Sequence, residues 1–382
     1  MRALRIWLTR MRAMTGKELL QLSRDTILIF FTLYAFTVDI YLAGSGVSLA
    51  LNNAATVVFD GDHSYASREL VSRFRDPYFN VLGVLSSPED TVRQLDSGSA
   101  MVALDIPENF EASLLRGEPV SVQMQVDTTN TVLGLLASSY AQQIVGRYGL
   151  ELAMQRQGLA PDAEIAGPVL IDQHRVWFNP NQNDAWFMSI SELLTVITLF
   201  SMLLPAAAMV REKERGTVEQ LLVSPLNGFQ VMFPKVLAMT IVIILLTGLS
   251  LVLVLRGIFD VPFKGSIGTF FAVTTLYVFT TSGLGLLVAT IARNMAQAGM
   301  LIILLIAPML FLSGAWTPPE AMPWFMRQLM GLSPLHYYID ASFGILLKGS
   351  ELRQIAPQIL GMTVLGGINF GIGLWRFRRQ FA

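Results

Sequence analysis

Two carboxylates, Asp39 and Glu192, stand inside long apolar runs. A charge at the centre of a membrane helix costs about 2.5 to 3.5 kcal/mol on insertion scales, so such a residue faces a partner or water by default. Asp39 falls midway along its run and is the sharper candidate for a substrate path, whereas Glu192 lies near the start of its own and can reach an interface. A hydrogen-bonded packing role at a subunit interface is an equal alternative for both. The other reactive residue types form no constellation. His63, His174 and His336 are widely separated, with no H-x-x-x-H or H-E-x-x-H spacing to hold a metal. There is no G-x-S-x-G elbow and no G-x-x-x-x-G-K-[ST] loop whose backbone N–H groups would cradle phosphates. Zero Cys excludes disulfides and thiolate chemistry. The chain is therefore expected to carry no catalytic residue, no metal and no cofactor of its own.

The most informative stretch is Arg211 to Leu226, REKERGTVEQLLVSPL. A helix over Thr217 to Val223 places Val218, Leu221 and Leu222 on one face and Glu219 and Gln220 on another, with Gly216 and Pro225 breaking the chain at its ends. A plain loop between two membrane spans needs a turn and a few Lys or Arg. This one also holds Glu212, Glu214 and Glu219, and acids contribute little to orientation. The pattern suits a rigid lever with a polar tip that docks onto a partner.

These residues need a membrane frame. Of 382 residues, 53% are apolar and only 14% are Asp, Glu, Lys or Arg, against about 25% charged in soluble domains. Runs such as 236–255 are uncharged over roughly the width of a bilayer core. Spans are expected near 26–50, 186–210, 236–256, 265–291, 296–314 and 355–375, six in all. Residues 1–25 read as an amphipathic helix on the cytoplasmic leaflet, with Leu4, Trp7, Leu8, Met11, Met14 and Leu19 opposite a row of Arg; a disordered basic tail is the alternative. Between the first two spans, 51–184 turns polar, with eight Arg and no Lys, and alternates β-rich runs (TVVFD, FNVLGVL, SAMVALDIP, PVSVQMQVD) with amphipathic ones. That alternation predicts an inserted α/β or α+β domain. The segment 315–353 is too rich in Pro for a simple span and is expected to be interfacial or re-entrant. Glycines in the last spans, Gly283 and Gly285 among them, permit close helix contact.

Charge placement orients the chain. With the N-terminus inside, the inner segments collect fourteen bases and the short outer segments five. Both termini are then cytoplasmic and 51–184 is outside. A net charge of −1 supplies no basic field for nucleic acid.

The sequence resembles the membrane subunit of ABC type-2 exporters, in the subgroup with a large extracytoplasmic domain between spans one and two. The resemblance rests on KELLQLSRD before span one, DIPENFEASLLRG and VQMQVDTTN in the outer domain, VWFNPN before span two, REKERGTVEQLLVSPL after it, and LSGAWTPPEAMPWFMRQLMGLSPLHYYIDA before span six. One departure is Trp316-Thr317-Pro318, where many relatives have two aromatics before the Pro. The resemblance implies that Glu212, Arg215, Gly216, Thr217, Glu219 and Gln220 belong to a coupling region that meets a separate ATPase subunit, which holds the ATP and Mg. It further implies a second permease copy or paralogue, a bacterial inner-membrane location, and a periplasmic domain able to meet an adaptor protein. Multidrug export is the first reading of the cargo and lipid or polysaccharide export the second. A membrane receptor or assembly factor with a sensing outer domain is the alternative of another class.

Overall fold

The computed structural model describes residues 2–46, 51–129, 131–156, 178–179, 183–217, 228–315, 317 and 319–381. The chain divides into two compact units, 48–174 and the remainder.

The 48–174 unit is an α/β layer structure. Strands β1 (Ala54–Asp60), β2 (Phe79–Leu85), β3 (Val102–Ile106) and β4 (Gln123–Val126) lie in the order β2-β1-β3-β4, parallel except for the antiparallel β3–β4 edge. Each β-rich run of the sequence supplies one strand. Central β1 is almost continuously buried, as a parallel strand covered on both faces must be. Its Val58 packs with Leu70 of helix α3 (Tyr65–Ser72), Phe110 of α5 (Phe110–Arg116) and Tyr148 of α6 (Thr131–Arg156), while Val57 points the other way, toward Leu95 of α4 (Pro88–Asp96). Local chemistry starts the helices: Ser64 accepts the Ser67 N–H at 3.1 Å, and Ser87 accepts the Glu89 N–H just ahead of Pro88.

In the other unit, α1 (Arg2–Ser23) is followed by Asp25, whose side chain caps α2 (Thr26–Gly46) by accepting the Leu28 N–H at 3.1 Å. Residues 47–50, the expected end of the first span, lie outside the described residues. The helices α7 (Asp184–Glu214), α8 (Gly228–Arg256), α9 (Ile267–Ile291) and the stretch Ala356–Arg376 of α13 (Ala356–Phe381) are, with α2, the five long and apolar enough to cross a membrane. A sixth apolar helix, α10 (Met295–Phe311), has 17 residues, or about 26 Å of rise against a bilayer core of about 30 Å. It carries Pro308 and is followed by a turn through Gly314 at φ +87°. The expected 296–314 span is thus shorter than its hydropathy suggested. Between α10 and α13 the chain forms short pieces, α11 (Trp324–Met330) and α12 (Pro334–Phe343), the latter running into a π-turn over Gly344–Lys348. Trp316 and Pro318 lie outside the described residues.

Helix α7 is the central post. Ile190, Leu194, Ile197, Phe200 and Leu204 are buried among residues of α2, α8, α9 and α12. Its contact with α9 is close because Gly285 has no side chain: a Cβ there would stand 2.2 Å from the Met202 carbonyl oxygen. Buried hydroxyls finish the seam. Thr198 shares a 2.8 Å hydrogen bond with Tyr277, Ser201 a 2.7 Å bond with Thr281, and Ser282 donates to the Ser201 carbonyl at 3.0 Å. Each of these hydroxyls has a partner, as buried polar groups require.

Candidate functional site

The end of α7 concentrates charge. Four successive ionic residues, Arg211, Glu212, Lys213 and Glu214, occupy its last turn, and on a helix four neighbours point about 100° apart. Each therefore meets a different element. Arg211 forms an ion pair with Asp25, the cap of α2. Glu212, 3% exposed, accepts a 2.5 Å hydrogen bond from Lys17 of α1 and lies 2.8 Å from Lys235 of α8. Lys235 is itself wholly buried and donates to Glu18 of α1 at 2.7 Å. Two Lys and two Glu thus close a neutral cluster between three helices. Removal from water penalises such charges unless they are paired, and here they are. Burial opposes the charge of Lys17, but the hydrogen bond and charge of Glu212, helped by Glu18, outweigh it and raise the Lys17 pKa.

The next two residues meet helix ends. The Lys213 ammonium donates to the carbonyls of Ala289, Thr290 and Ala292 at 2.7, 3.2 and 3.1 Å. These are at the C-terminus of α9, where carbonyls lack helical partners and the dipole is negative. Glu214 accepts the Met295 N–H, at the positive N-terminus of α10, at 3.0 Å. One helical turn is thereby tied to α1, α2, α8, α9 and α10.

The chain leaves this node through exposed Arg215 and through Gly216, whose φ of +67° suits glycine. Thr217 donates its hydroxyl proton to the Glu212 carbonyl at 3.2 Å. Of the six residues expected in the coupling region, Arg215, Gly216 and Thr217 stand at the start of the loop. Glu212 instead faces inward and spends its charge on Lys17 and Lys235. Glu219 and Gln220, with the expected 217–223 helix beyond its first residue, lie outside the described residues. Sequence reading missed Lys17, Glu18 and Lys235 as members of one site; Lys235 passed for one more orienting base. The signal was there in retrospect of chemistry alone: a Lys abutting an uncharged run needs a carboxylate, and Glu18 and Glu212 are acids in otherwise basic surroundings.

A second locus lies inside the spans. Asp39 closes a π-turn over Ala35–Asp39 in α2, and the carbonyl of Phe36 in that turn accepts the Ser250 hydroxyl, just ahead of a second π-turn over Leu251–Arg256 in α8. Such turns recur at functional sites. The turn that ends at Asp39 packs against α7, the helix that carries Glu192, and among the described residues neither carboxylate has a hydrogen bond or ion pair. The structure thus joins two candidates that the sequence kept separate. Among the described residues there is no cluster of three metal-ligating side chains. His63 sits in a turn and His336 approaches the Ser313 carbonyl at 3.3 Å, while His174 lies outside the described residues.

Comparison with known proteins finds a family and several relatives. Residues 26–376 match the family model described as "ABC-2 family transporter protein". The chain is 34% identical over 364 residues to the inner membrane transport permease YhhJ of Escherichia coli strain K12, covering 95% of each chain. It is 27% identical over 374 residues to the probable multidrug ABC transporter permease YbhR of the same strain, covering 97% of this chain and 99% of that one. Likeness also extends to the ABC transporter G family member 20 of Dictyostelium discoideum, at 22% identity over 361 residues, which is 94% of this chain and 49% of that protein.

Proposed function

We propose, from the premise that this chain belongs to the ABC-2 transporter family, that it is the permease subunit of an exporter driven by ATP hydrolysis on a separate ATPase subunit. The observation that carries the reading is the node at the end of α7, where consecutive charges bind five helices to the root of one loop. A loop so anchored transmits displacement. When the ATPase pair closes around Mg-ATP and pushes on 217–227, the node moves as a rigid piece and carries α1, α2, α8, α9 and α10 with it. Substrate exit then follows from a difference in free energy between two packings of the spans.

In this reading six helices cross the inner membrane, with α10 as the short one, both termini and the 211–235 connection face the cytoplasm, and 51–184 stands in the periplasm, where an adaptor protein can meet it. A second permease copy or a paralogue completes the path. Exposed apolar side chains four apart on α13, Leu360, Val364, Ile368 and Ile372, suit lipid or that second copy. The cargo is a drug-like amphipathic molecule, as the name of the YbhR relative suggests, with Asp39 and Glu192 on its route.

The test is co-purification. Tagged at its C-terminus, the chain brings an ATPase subunit with it, and Glu219→Lys loses ATPase stimulation and drug resistance while inserting normally. Normal transport by that variant removes the loop from the coupling path.

A further inference from the structure

A groove of about 710 Å³ opens where the end of α1, the start of α2 and the end of α7 converge. Lys17, Arg24, Arg211 and Arg215 line it against one acid, Asp25. Lys17 is engaged by Glu212 and Arg211 by Asp25. Arg24 and Arg215 are exposed and, among the described residues, have no anionic partner. Among the described residues, the groove therefore keeps an unneutralised positive charge. Its rim is apolar: Leu20 is 54% exposed and Ile27 is 84% exposed, and Phe30, one turn further along α2, is 71% exposed. Basic side chains at a membrane boundary continuing into a bare apolar helix face match a phosphate headgroup with acyl chains below it.

We propose that this groove binds the phosphate headgroup of an anionic phospholipid, held by Arg24 and Arg215, with its acyl chains along Ile27 and Phe30. A soluble phosphate shares the headgroup chemistry but makes no use of the apolar rim, and this favours the lipid. Because Arg215 begins the loop after α7 and Arg24 directly follows α1, the lipid bridges the surface helix and the coupling connection and sets how freely one moves against the other. This rests on the proposed function in taking α1 as a helix at the membrane surface and the loop after Arg215 as the coupling connection.

The experiment uses the full chain in nanodiscs of phosphatidylcholine doped with phosphatidylglycerol, with retained lipids counted by native mass spectrometry. The wild type keeps phosphatidylglycerol in preference to phosphatidylcholine. The double variant Arg24→Gln, Arg215→Gln lowers that preference about tenfold, the scale expected for losing cationic contacts at the surface. Arg12→Gln, on α1 but off the groove, leaves it unchanged, and Arg24→Lys with Arg215 intact retains the lipid, which separates lost charge from lost fold. Equal retention of both lipids by the wild type overturns the proposal, as does an unchanged preference in the double variant. Displacement of the lipid by inorganic phosphate at matching concentration assigns the groove to a free anion and also overturns it. If the groove is an ATPase contact instead, the wild type keeps no preferred lipid and the double variant loses the co-purifying subunit. A wild type that keeps the lipid but brings down no ATPase sinks the coupling reading alone.

Discussion

Lys235 illustrates how burial converts an ordinary residue into a structural key. With no exposed surface and two carboxylates within 2.8 Å, its ammonium holds Glu18 and Glu212 in place, and removing it leaves those acids with half-exposed Lys17 as their cation. Breaking a buried pair from one side costs about 3 kcal/mol, so Lys235→Met is expected to lower the melting temperature of the purified chain in detergent markedly. Adding Glu18→Gln to that variant recovers part of the loss, because one unpaired acid goes with it. A double variant no better than the single one would show that the four charges do not act as a unit. Asp39 and Glu192 call for a different readout. The turn that ends at Asp39 packs against α7, the helix that carries Glu192, so Asp39→Asn and Glu192→Gln are each expected to shift the range of drugs exported, and together to shift it by less than the sum. Additive effects across a drug panel would mean that the two carboxylates work apart. The sequence made Asp39 and Glu192 visible because a charge inside an apolar run stands out, and Glu212 because it belongs to a charge-rich connection that holds acids as well as bases. The partner of Glu212 on α1, Lys17, lies 195 positions away in the chain, and no local pattern encodes such a pairing.

Among the elements, strands and spans were the legible part, because a period of two and an uncharged run of bilayer length are local signals. The four β-rich runs became β1 to β4, and the long apolar runs became α2, α7, α8, α9 and α13. Helix ends were less so. Helix α7 runs on to Glu214, past the apolar stretch that marked its span, because its last charges find partners on neighbouring helices rather than in water. The π-turns of α2 and α8 carry no composition of their own; they depend on an inter-helix bond from Ser250 to Phe36. Glycine spacing did foretell close packing, and Gly285 gives it a measurable consequence. A side chain there would strike the Met202 carbonyl, which is backbone and cannot swing aside. Gly285→Val is expected to destabilise the chain by about 2 kcal/mol through overpacking at the α7–α9 seam. Gly367, whose Cβ would meet nothing within 4 Å, takes Ala with little change in melting temperature. A reversed order of those two melting temperatures would contradict the packing of α9 against α7.

At the scale of the whole molecule, the proposed function has force applied at one loop reach the far ends of the spans, and that demands a fixed sidedness. The node at α7 gives the loop after Arg215 a stiff root, while the 48–174 unit, with its own sheet and core, is large enough to stand alone as a soluble layer. The proposed function puts the loop and that unit on opposite faces of the bilayer. Single thiols placed in this cysteine-free chain report that directly. Gly216 is a poor position for one, since its positive φ disfavours any side chain, so Thr217→Cys serves for the loop and exposed Ser97→Cys for the sheet unit. In spheroplasts an impermeant maleimide is expected to label Ser97→Cys and spare Thr217→Cys until the membrane is opened, after which both react. Labelling of Thr217→Cys in sealed spheroplasts would put the loop outside, where no ATP-hydrolysing subunit could press on it, and the lever would have nothing to receive.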